Sequence, residues 1–447
     1  MKMGNKIGKA VLLLAIIFIT SCGKNTVISN QNQKDERQKI ALAVFEENPD
    51  IAKQVTQFNE ENKEYYIEIV KYERAAVSEE DGIAKLQREI MAGNGPDIID
   101  YGLRYSISDI VGKYTEDLSS YLEDVKVQNQ DGYFWNILKA FYYDNGLYAM
   151  PVSFSLQTFA GSTDVIGNQT TWTIQEMIDC YEKQKGNKIL YPGEMKKDVF
   201  GTILTGSLDY YIDWEKSSCN FQGEDFKKMM EFANQFPESL RITDDYSVKN
   251  IFMKGEALLL PLRLASIYDI CKAEYIFDED DINYVGFPVE GGCGTVIQPS
   301  DTMLAININS KYKEAAWGFL NQFLREEYQS KIESGFPLSR RELEEKLLAN
   351  REVEYVKDSE GNQISIAKEK VLFEGDEPIE LYNITEKQAN RLLTLIENAT
   401  ISTTVDYSLY SILLEEAEGY FYGDKTLEET VDIMQSRASI YVSEKVK

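Results

Sequence analysis

The chain contains no histidine, and this absence excludes whole classes of active site. Ser-His-Asp triads, Cys-His dyads and zinc sites with imidazole ligands all depend on that side chain. Cysteine is scarce as well: after Cys22 there are four, Cys180, Cys219, Cys271 and Cys293, and none has the C-x-x-C spacing of a metal site. We therefore expect no metal site and no cofactor. One or two disulfides and buried free thiols are both compatible with this spacing.

Basic residues are outnumbered, with 47 Lys and Arg against 74 Asp and Glu. Without residues 1–21, which hold three lysines and no acids, 44 basic residues remain and the net charge is −30. Such a surface repels phosphate backbones and anionic headgroups, so neither nucleic acid nor an electrostatically bound membrane is expected as a partner. A solvated acidic surface that aids solubility is the simplest explanation, and cationic ligands are compatible with it.

The N-terminal apolar run is too short to cross a membrane. It covers about ten positions, 10–19, whereas a spanning helix needs roughly 20. Three lysines precede it, at Lys2, Lys6 and Lys9. This pattern predicts an export signal peptide over residues 1–21.

The residues that follow resemble the bacterial lipobox, in which a cysteine becomes the acylated new N-terminus. Ile19, Thr20 and Ser21 lead directly into Cys22. The resemblance implies lipidation at Cys22, with the polar stretch 22–38 as a flexible tether and the protein on the outer face of the cytoplasmic membrane. An uncleaved stub, or cleavage without lipid, is the alternative.

The mature part is long enough for two lobes, because single cores stop growing at roughly 250–300 residues. Residues 39–45 form an apolar run typical of a buried strand, Asn48-Pro49 predicts a helix start, and residues 66–72 predict the next strand. A strand-helix-strand unit of this kind predicts a parallel sheet and an α/β fold.

Further helices are indicated by capping boxes and apolar periodicity. The boxes are Ser78 with Asp81, Thr173 with Glu176, and Thr426 with Glu429. Residues 313–334 predict a single long helix that ends at Gly335. The alternation in 352–374 is consistent with a small hairpin in a possible insertion of unknown role.

Six segments stand out along the mature chain: 58–62 (FNEEN), 91–99 (MAGNGPDII), 144–151 (DNGLYAMP), 171–177 (TWTIQEM), 252–258 (FMKGEAL) and 313–320 (KEAAWGFL). In this order they resemble segments of the extracellular solute-binding proteins of ABC importers, the family that includes maltose-binding and other sugar-binding lipoproteins. Each segment alone is weakly specific, and their common order makes the resemblance strong. It covers most of the mature chain.

The resemblance implies a two-lobe fold in which each lobe is a mainly parallel sheet flanked by helices, with a ligand cleft between the lobes. Lobe I is expected to comprise 39–150 and 300–343, and lobe II 151–299 and 344–447. The hinge is expected near 149–153, near 288–302 and after the long helix. The implied protein is a monomer without enzymatic activity, whose partners are a small solute and ABC permease subunits.

Candidate ligand contacts in lobe I follow predicted strands, since open α/β sheets bind ligands at the carboxyl ends of their strands. Phe45 and Glu46 follow the first strand, and Tyr101 follows the third. Ser153 and Phe154 come just after the first crossing. Ordinary loop positions and hinge packing are the alternatives for these residues.

Candidate contacts in lobe II combine aromatic rings with charged groups, as sugar sites do. Tyr210, Tyr211, Asp213 and Trp214 form a cluster that would make a stacking wall, the alternative being a hydrophobic patch. Arg263 follows an apolar strand and needs either solvent or a partner. Asp278 to Asp281 lacks the spacing of a calcium loop and is interpreted as a solvated turn.

The leading hypothesis is a binder of an oligosaccharide or related polyol in carbohydrate transport. The first alternative is a secreted glycoside hydrolase, which needs only two carboxylates roughly 5–10 Å apart and therefore tolerates the lack of histidine. The second alternative is a sensor or adhesion lipoprotein with the same lobes and no transporter.

Overall fold

The computed structural model describes residues 36–72, 80–102, 114–143, 145–214, 216–239, 247–277, 281–288, 294–299, 302–372, 377–402 and 406–445. Gln38–Lys447 forms one compact unit. Its strands are β1 Gln38–Val44, β2 Tyr65–Lys71, β3 Ile98–Asp100, β4 Met150–Pro151, β5 Ser153–Ser162, β6 Ile212–Asp213, β7 Ser218–Cys219, β8 Leu260–Leu264, β9 Ile282–Tyr284, β10 Val296–Pro299, β11 Met303–Ile306, β12 Phe336–Pro337, β13 Glu354–Lys357, β14 Gln363–Ile366, β15 Glu369–Val371, β16 Ile379–Leu381 and β17 Ile401–Ser402.

The helices surround these strands. They are α1 Pro49–Glu61, α2 Glu80–Met91, α3 Ser119–Gln128, α4 Trp135–Ala140, α5 Thr163–Ile166, α6 Ile174–Gln184, α7 Lys196–Ser207, α8 Glu224–Ala233, α9 Val248–Met253, α10 Asp269–Ile276, α11 Lys313–Leu320, α12 Glu326–Gln329, α13 Arg340–Ala349, α14 Glu386–Asn398, α15 Tyr407–Phe421 and α16 Leu427–Lys445. Leu208–Tyr211 and Asn321–Leu324 are 3₁₀ segments.

The first sheet has the strand order β2-β1-β3-β11-β4. Strand β1 pairs in parallel with β2 along its whole length and with β3, as the strand-helix-strand prediction requires. Strand β11 pairs antiparallel with both β3 and β4. Apolar residues of β1 alternate between the two faces of the sheet: Leu42 enters the larger core, and Ala43 enters a smaller core with Ile99 and Tyr101. The α/β class is confirmed.

The second sheet has the order β12-β5-β10-β17, with β8 and β9 also paired to β5. Only the β10–β17 pair is parallel among the described strands of this sheet. The expectation of a mainly parallel sheet in each lobe was therefore wrong for this one. The long strand β5 begins directly after Val152, and β8, β9, β10 and β12 run in the opposite direction alongside it, which gives antiparallel ladders.

The chain passes between the two sheets at three places, which we call the crossing segments. The first is Val152, between β4 and β5; the second contains Thr302, between β10 and β11; the third is 330–335, between α12 and β12. One core is continuous along one face of both sheets, and a second core fills the other face of the second sheet under α6, α7, α8, α15 and α16.

Two of the predicted capping boxes are confirmed. The Thr173 hydroxyl accepts the Glu176 N–H while the Glu176 carboxylate accepts the Thr173 N–H, and Thr426 and Glu429 make the same pair of bonds. Ser78, which belongs to the remaining box, lies outside the described residues. Cys22 and nearly all of the predicted tether also lie outside them.

The prediction of one long helix over 313–334 was wrong. Helix α11 ends at Leu320, a 3₁₀ segment follows, and Arg325 is extended with ψ 148° before α12 begins. The tightened turn buries three consecutive side chains, Gln322, Phe323 and Leu324, which an unbroken α-helix facing solvent on one side would not do.

The expected hairpin in 352–374 is confirmed, because β13 and β14 pair antiparallel in register Glu354↔Ile366. Cys180, Cys219 and Cys271 are free thiols, and Cys293 lies outside the described residues. Within the described ranges, no helix is both long enough and apolar enough to cross a bilayer.

Candidate functional site

A cavity of about 870 Å³ lies where the first sheet meets the crossing segments, and we call it the hinge cavity. Its lining comes from 45–50 with Lys53, from 100–102, from Val152 and Ser153 with Thr302, and from Tyr328 with 331–334. The first two groups follow the carboxyl ends of the parallel strands β1 and β3, the edge at which open α/β sheets bind ligands.

Asn48 ties the start of α1 to the second crossing segment. Its side-chain oxygen accepts the N–H groups of Asp50 and Ile51 at 3.0 and 3.2 Å, which caps the helix. Its amide nitrogen donates to the Thr302 hydroxyl at 2.9 Å. One side chain therefore fixes two walls of the cavity relative to each other.

Asp100 makes a similar connection at the end of β3. Its carboxylate accepts the N–H of Gly102 at 3.1 Å and the N–H of Met303 at 3.2 Å. The N–H of Tyr101 donates to the Met303 carbonyl at 2.8 Å. The wall formed by 100–102 is therefore held against β11 by the Asp100 carboxylate and the Tyr101 backbone.

Two tyrosines line the hinge cavity in different environments. Tyr101 is 1% exposed, and burial raises the pKa of its phenol well above the usual value. Burial also raises the pKa of Tyr328, and the carboxylates of Asp50 and Asp100 add to the shift. Both phenols are consequently protonated at neutral pH.

Charged groups at the hinge cavity are predominantly acidic. The lining includes five carboxylates and two ammonium groups: Glu46, Glu47, Asp50, Asp100 and Glu333 with Lys53 and Lys331. Lys71 hydrogen-bonds to Glu47 and lowers the pKa of that carboxylate. Carboxylates accept hydrogen bonds from hydroxyl or ammonium groups, so the cavity suits a polar solute rich in donors.

The structure brings four of the predicted contacts together and separates others. Phe45, Glu46, Tyr101 and Ser153 all line the hinge cavity. Phe154, in contrast, is 0% exposed, packs against Phe134 and Phe336 and does not line this cavity.

Arg263 does not line the hinge cavity. It lies on β8, where Leu260, Leu262 and Leu264 are buried and the alternate positions are exposed. Its guanidinium group is therefore exposed to solvent.

The predicted aromatic cluster forms a separate cavity of about 540 Å³, which we call the aromatic cavity. Tyr210, Tyr211, Asp213 and Trp214 line it together with Tyr143. Tyr210 is 46% exposed and meets the buried Tyr211 edge to face, with ring centroids 5.4 Å apart. An exposed ring held by a buried one is a suitable surface for stacking against an apolar sugar face.

Asp209 directly precedes the aromatic cluster in the sequence and is half-buried. Burial raises the pKa of its carboxyl to about 7, with a further contribution from Asp406, while a hydrogen bond with Trp214 acts in the opposite direction. The indole of Trp214 is thus held by a hydrogen bond to this carboxyl group as well as by packing.

Asn48, Asp100, Thr302 and Tyr328 were not predicted as site residues. Asn48 and Asp100 each flank a predicted strand end, so the strand pattern held enough information to include them. Thr302 and Tyr328 reach the cavity through the second crossing segment and the broken helix. No periodicity in the sequence indicated that break.

Two sheets joined by three crossing segments, with a polar cavity beside the crossings, are the architecture of a two-lobe binding protein. A sequence model of the family described as bacterial extracellular solute-binding protein matches residues 53–334, more than half of the chain. The chain therefore belongs to this family of extracellular proteins. Among proteins with curated descriptions, none is significantly similar to it in sequence.

Solved structures agree on the two-lobe fold at low sequence identity. A periplasmic oligogalacturonide-binding protein from Yersinia enterocolitica superposes with a TM-score of 0.56 and 14% identity, covering 92% of this chain and 100% of that one. The sugar-binding protein MalE from Xanthomonas citri gives 0.55 and 14%, with 91% and 98% covered. A de novo designed cysteine esterase gives 0.55 and 14%, with 92% and 99% covered. Such likeness establishes the fold alone.

Proposed function

We propose that this protein is a solute-binding lipoprotein of an ABC importer that captures an oligosaccharide or related polyol by closure of two lobes and passes it to the permease. The observation that carries the proposal is the hinge cavity, which joins the strand ends of the first sheet to all three crossing segments. Closure about the crossing segments would change the shape of this cavity more than that of any surface groove.

Three features support a sugar-like solute. The hinge cavity combines carboxylates with the rings of Phe45, Tyr101 and Tyr328. The aromatic cavity offers a second set of ring faces. The oligogalacturonide-binding protein and MalE, whose fold the chain shares, are described as binding sugars.

The lobes of this proposal follow the predicted division, 39–150 with 300–343 and 151–299 with 344–447, except that the last boundary lies at the third crossing segment, 330–335, because β12 pairs with β5 in the second sheet. The lipid on Cys22 and the tether 22–38 would keep both lobes close to the permease. Metabolic labelling with a fatty-acid analogue should mark the wild-type protein and not Cys22→Ala. Equal labelling of both proteins would contradict the lipid anchor.

The solute class is tested by thermal-shift screening of the tag-free mature protein against mono- and oligosaccharides, peptides and polyamines. A solute at about 100 times its Kd adds roughly 2.7 kcal/mol of stability, which raises the melting temperature by several degrees. We expect an oligosaccharide to produce this rise. A rise with a polyamine or peptide alone would overturn the carbohydrate assignment.

The position of the site is tested by substituting one ring in the hinge cavity. Phe45→Ala should weaken binding of the sugar found in the screen by about tenfold, since part of the apolar contact area is lost. Tyr142→Ala is the matched control, because this exposed ring lines neither the hinge cavity nor the aromatic cavity. Equal loss in both variants, measured by calorimetry, would contradict the site.

The hydrolase alternative makes a distinct prediction. A glycosidase would release reducing ends from the same sugar during a long incubation, whereas a binder would return it unchanged. Neighbouring genes for two permease subunits would in turn separate an importer component from a sensor or adhesion protein.

A further inference from the structure

The first two crossing segments are hydrogen-bonded to each other beside the hinge cavity, and the third is hydrogen-bonded to the residue that follows β8. The N–H of Val152, in the first crossing, donates to the carbonyl of Thr302, in the second, at 3.4 Å. In the third crossing, Gly335 donates its N–H to Ala265 at 2.8 Å and has a φ of +85°. A Cβ at this glycine would lie 2.7 Å from the Phe154 carbonyl oxygen, so only glycine allows the third crossing to run this close to β5.

One buried side chain, Gln329, connects the first crossing to residues on both sides of the third crossing. It is the last residue of α12 and is 1% exposed. Its amide nitrogen donates to the Val152 carbonyl at 3.0 Å and to the Phe323 carbonyl at 2.7 Å. Its oxygen accepts the N–H of Ser339, just beyond the third crossing, at 3.0 Å.

The break in the helix explains why an amide is needed here. Because the 3₁₀ segment ends before α12, the carbonyls of Phe323 and Leu324 cannot continue a regular helical ladder. The Tyr133 hydroxyl donates to the Leu324 carbonyl, and the Gln329 amide donates to that of Phe323. An apolar side chain at position 329 would leave the Val152 and Phe323 carbonyls and the Ser339 N–H without this partner in a buried place.

We propose that Gln329 is the positioning residue of the hinge: its amide fixes the separation of the first and third crossings, so that the lobes rotate about Val152 and do not slide or separate. The inference rests on the two-lobe part of the proposed function and is independent of which solute binds. Because the amide uses both its donors and its oxygen within the hinge, rotation that kept all three bonds would cost less than any motion that broke them.

The experiment measures the distance between the lobes without any solute. Spin labels are attached through a genetically encoded ketone-bearing residue at Val127 on α3 and at Tyr422 beyond α15, which are 77% and 58% exposed. This chemistry avoids the free thiols of Cys180, Cys219 and Cys271. Pulsed electron paramagnetic resonance then gives the distribution of lobe separations.

The expected result is a distribution at least about twofold wider in Gln329→Met than in the wild type, because the constraint on the crossings is lost. The matched control is Gln322→Met. Gln322 is a buried glutamine in the adjacent 3₁₀ segment whose side-chain oxygen accepts no hydrogen bond from the described residues. Its substitution should leave the distribution unchanged. An unchanged width in folded Gln329→Met, with only a lower melting temperature, would assign the residue to stability and overturn the proposal.

A second variant covers the case in which Gln329→Met does not fold. Gln329→Asn keeps the amide but is one methylene shorter, so it should also widen the distribution. Failure of both variants to fold, with Gln322→Met folded, would likewise overturn the hinge role. Failure of every sugar to bind would affect the proposed solute class and leave this result intact.

Discussion

Two buried tyrosines beside the hinge cavity differ in whether their hydroxyl groups have a hydrogen-bond partner. The Tyr72 hydroxyl donates to the Glu89 carboxylate at 2.6 Å. The Tyr101 hydroxyl is buried and has no hydrogen-bond partner among the described residues. Both rings belong to the same small core on the outer face of the first sheet. A buried hydroxyl that gives up water without gaining a partner reduces the free energy of unfolding.

Tyr101→Phe should therefore leave the unfolding free energy unchanged or raise it by about 1 kcal/mol in the absence of solute. Tyr72→Phe, its matched control, should lower it by about 1–2 kcal/mol, because the Glu89 carboxylate loses a donor. Urea denaturation of the three proteins measures both changes. A loss of more than about 1 kcal/mol in Tyr101→Phe would mean that its hydroxyl has a partner in solution.

Strand alternation explains where the structure places three of the predicted contacts. Ser153 and Phe154 are neighbours on β5, so their side chains point to opposite faces of the sheet. Only one of the two can line the hinge cavity, and the sequence does not say which, since both faces of β5 are buried. For Arg263 the alternation of leucines in β8 did contain the answer, because it places the arginine on the exposed face.

At the scale of single elements, the β13–β14 hairpin lies at the surface of the protein. Every residue of both strands is exposed. Its described polar links to the rest of the protein include the ion pair between Glu354 and Lys368 at 3.2 Å and a hydrogen bond between Ser365 and Tyr382. Both links have an exposed partner on the hairpin, and such polar contacts contribute little to stability, so the hairpin should add little to the folded unit.

Replacement of Glu354–Ile366 by a two-residue Gly-Ser link should leave the unfolding free energy within about 1 kcal/mol of the wild type. The link can close because Glu354 and Ile366 face each other in the ladder. Thermal unfolding and sugar binding are the measurements. A loss of binding with unchanged stability would give the hairpin a role in solute capture.

Capping residues in the sequence predicted helix starts well, because the contacts that form a helix start lie within one turn. The helix start at Asn48 and the capping boxes at Thr173 and Thr426 depend on residues within one turn, and each is found in the structure. The break at Arg325 is accompanied by contacts with groups distant in sequence: Val152 accepts a hydrogen bond from Gln329, and Tyr133 donates one to the Leu324 carbonyl. A continuous apolar period over 313–334 could not reveal these contacts.

At the scale of the whole molecule, the acidic excess affects stability as well as the choice of ligand. Like charges repel in the compact state, and protonation of carboxyl groups relieves that repulsion. Two acidic residues contribute to this pH dependence of stability, because burial raises the pKa of Glu194 and of Asp209, each to about 7. Other carboxyl groups have lowered pKa values. Hydroxyl donors Ser162 and Thr163 lower the pKa of Asp281, and Thr426 lowers that of Glu429.

These shifts predict a stability maximum near about pH 5 and a decline towards pH 8. A raised carboxyl pKa means that the folded protein keeps a proton that the unfolded chain has released, so the stabilisation is present below the unfolded pKa and is lost as pH rises through about 7. The carboxyl groups with lowered pKa values lose their stabilising contribution as pH falls below about 4.

The substitution Glu194→Gln tests this pH dependence, because it retains an acceptor for the Leu190 N–H and removes the titrating group. It should reduce the difference in unfolding free energy between pH 5 and 8 by about 1 kcal/mol after solvent screening. Glu123→Gln, at an exposed position on α3, should keep the full difference. Urea denaturation at pH 5 and pH 8 measures the unfolding free energy of each protein. If this free energy changed equally with pH in Glu194→Gln and in the wild type, Glu194 would be ionised in the folded protein throughout this range.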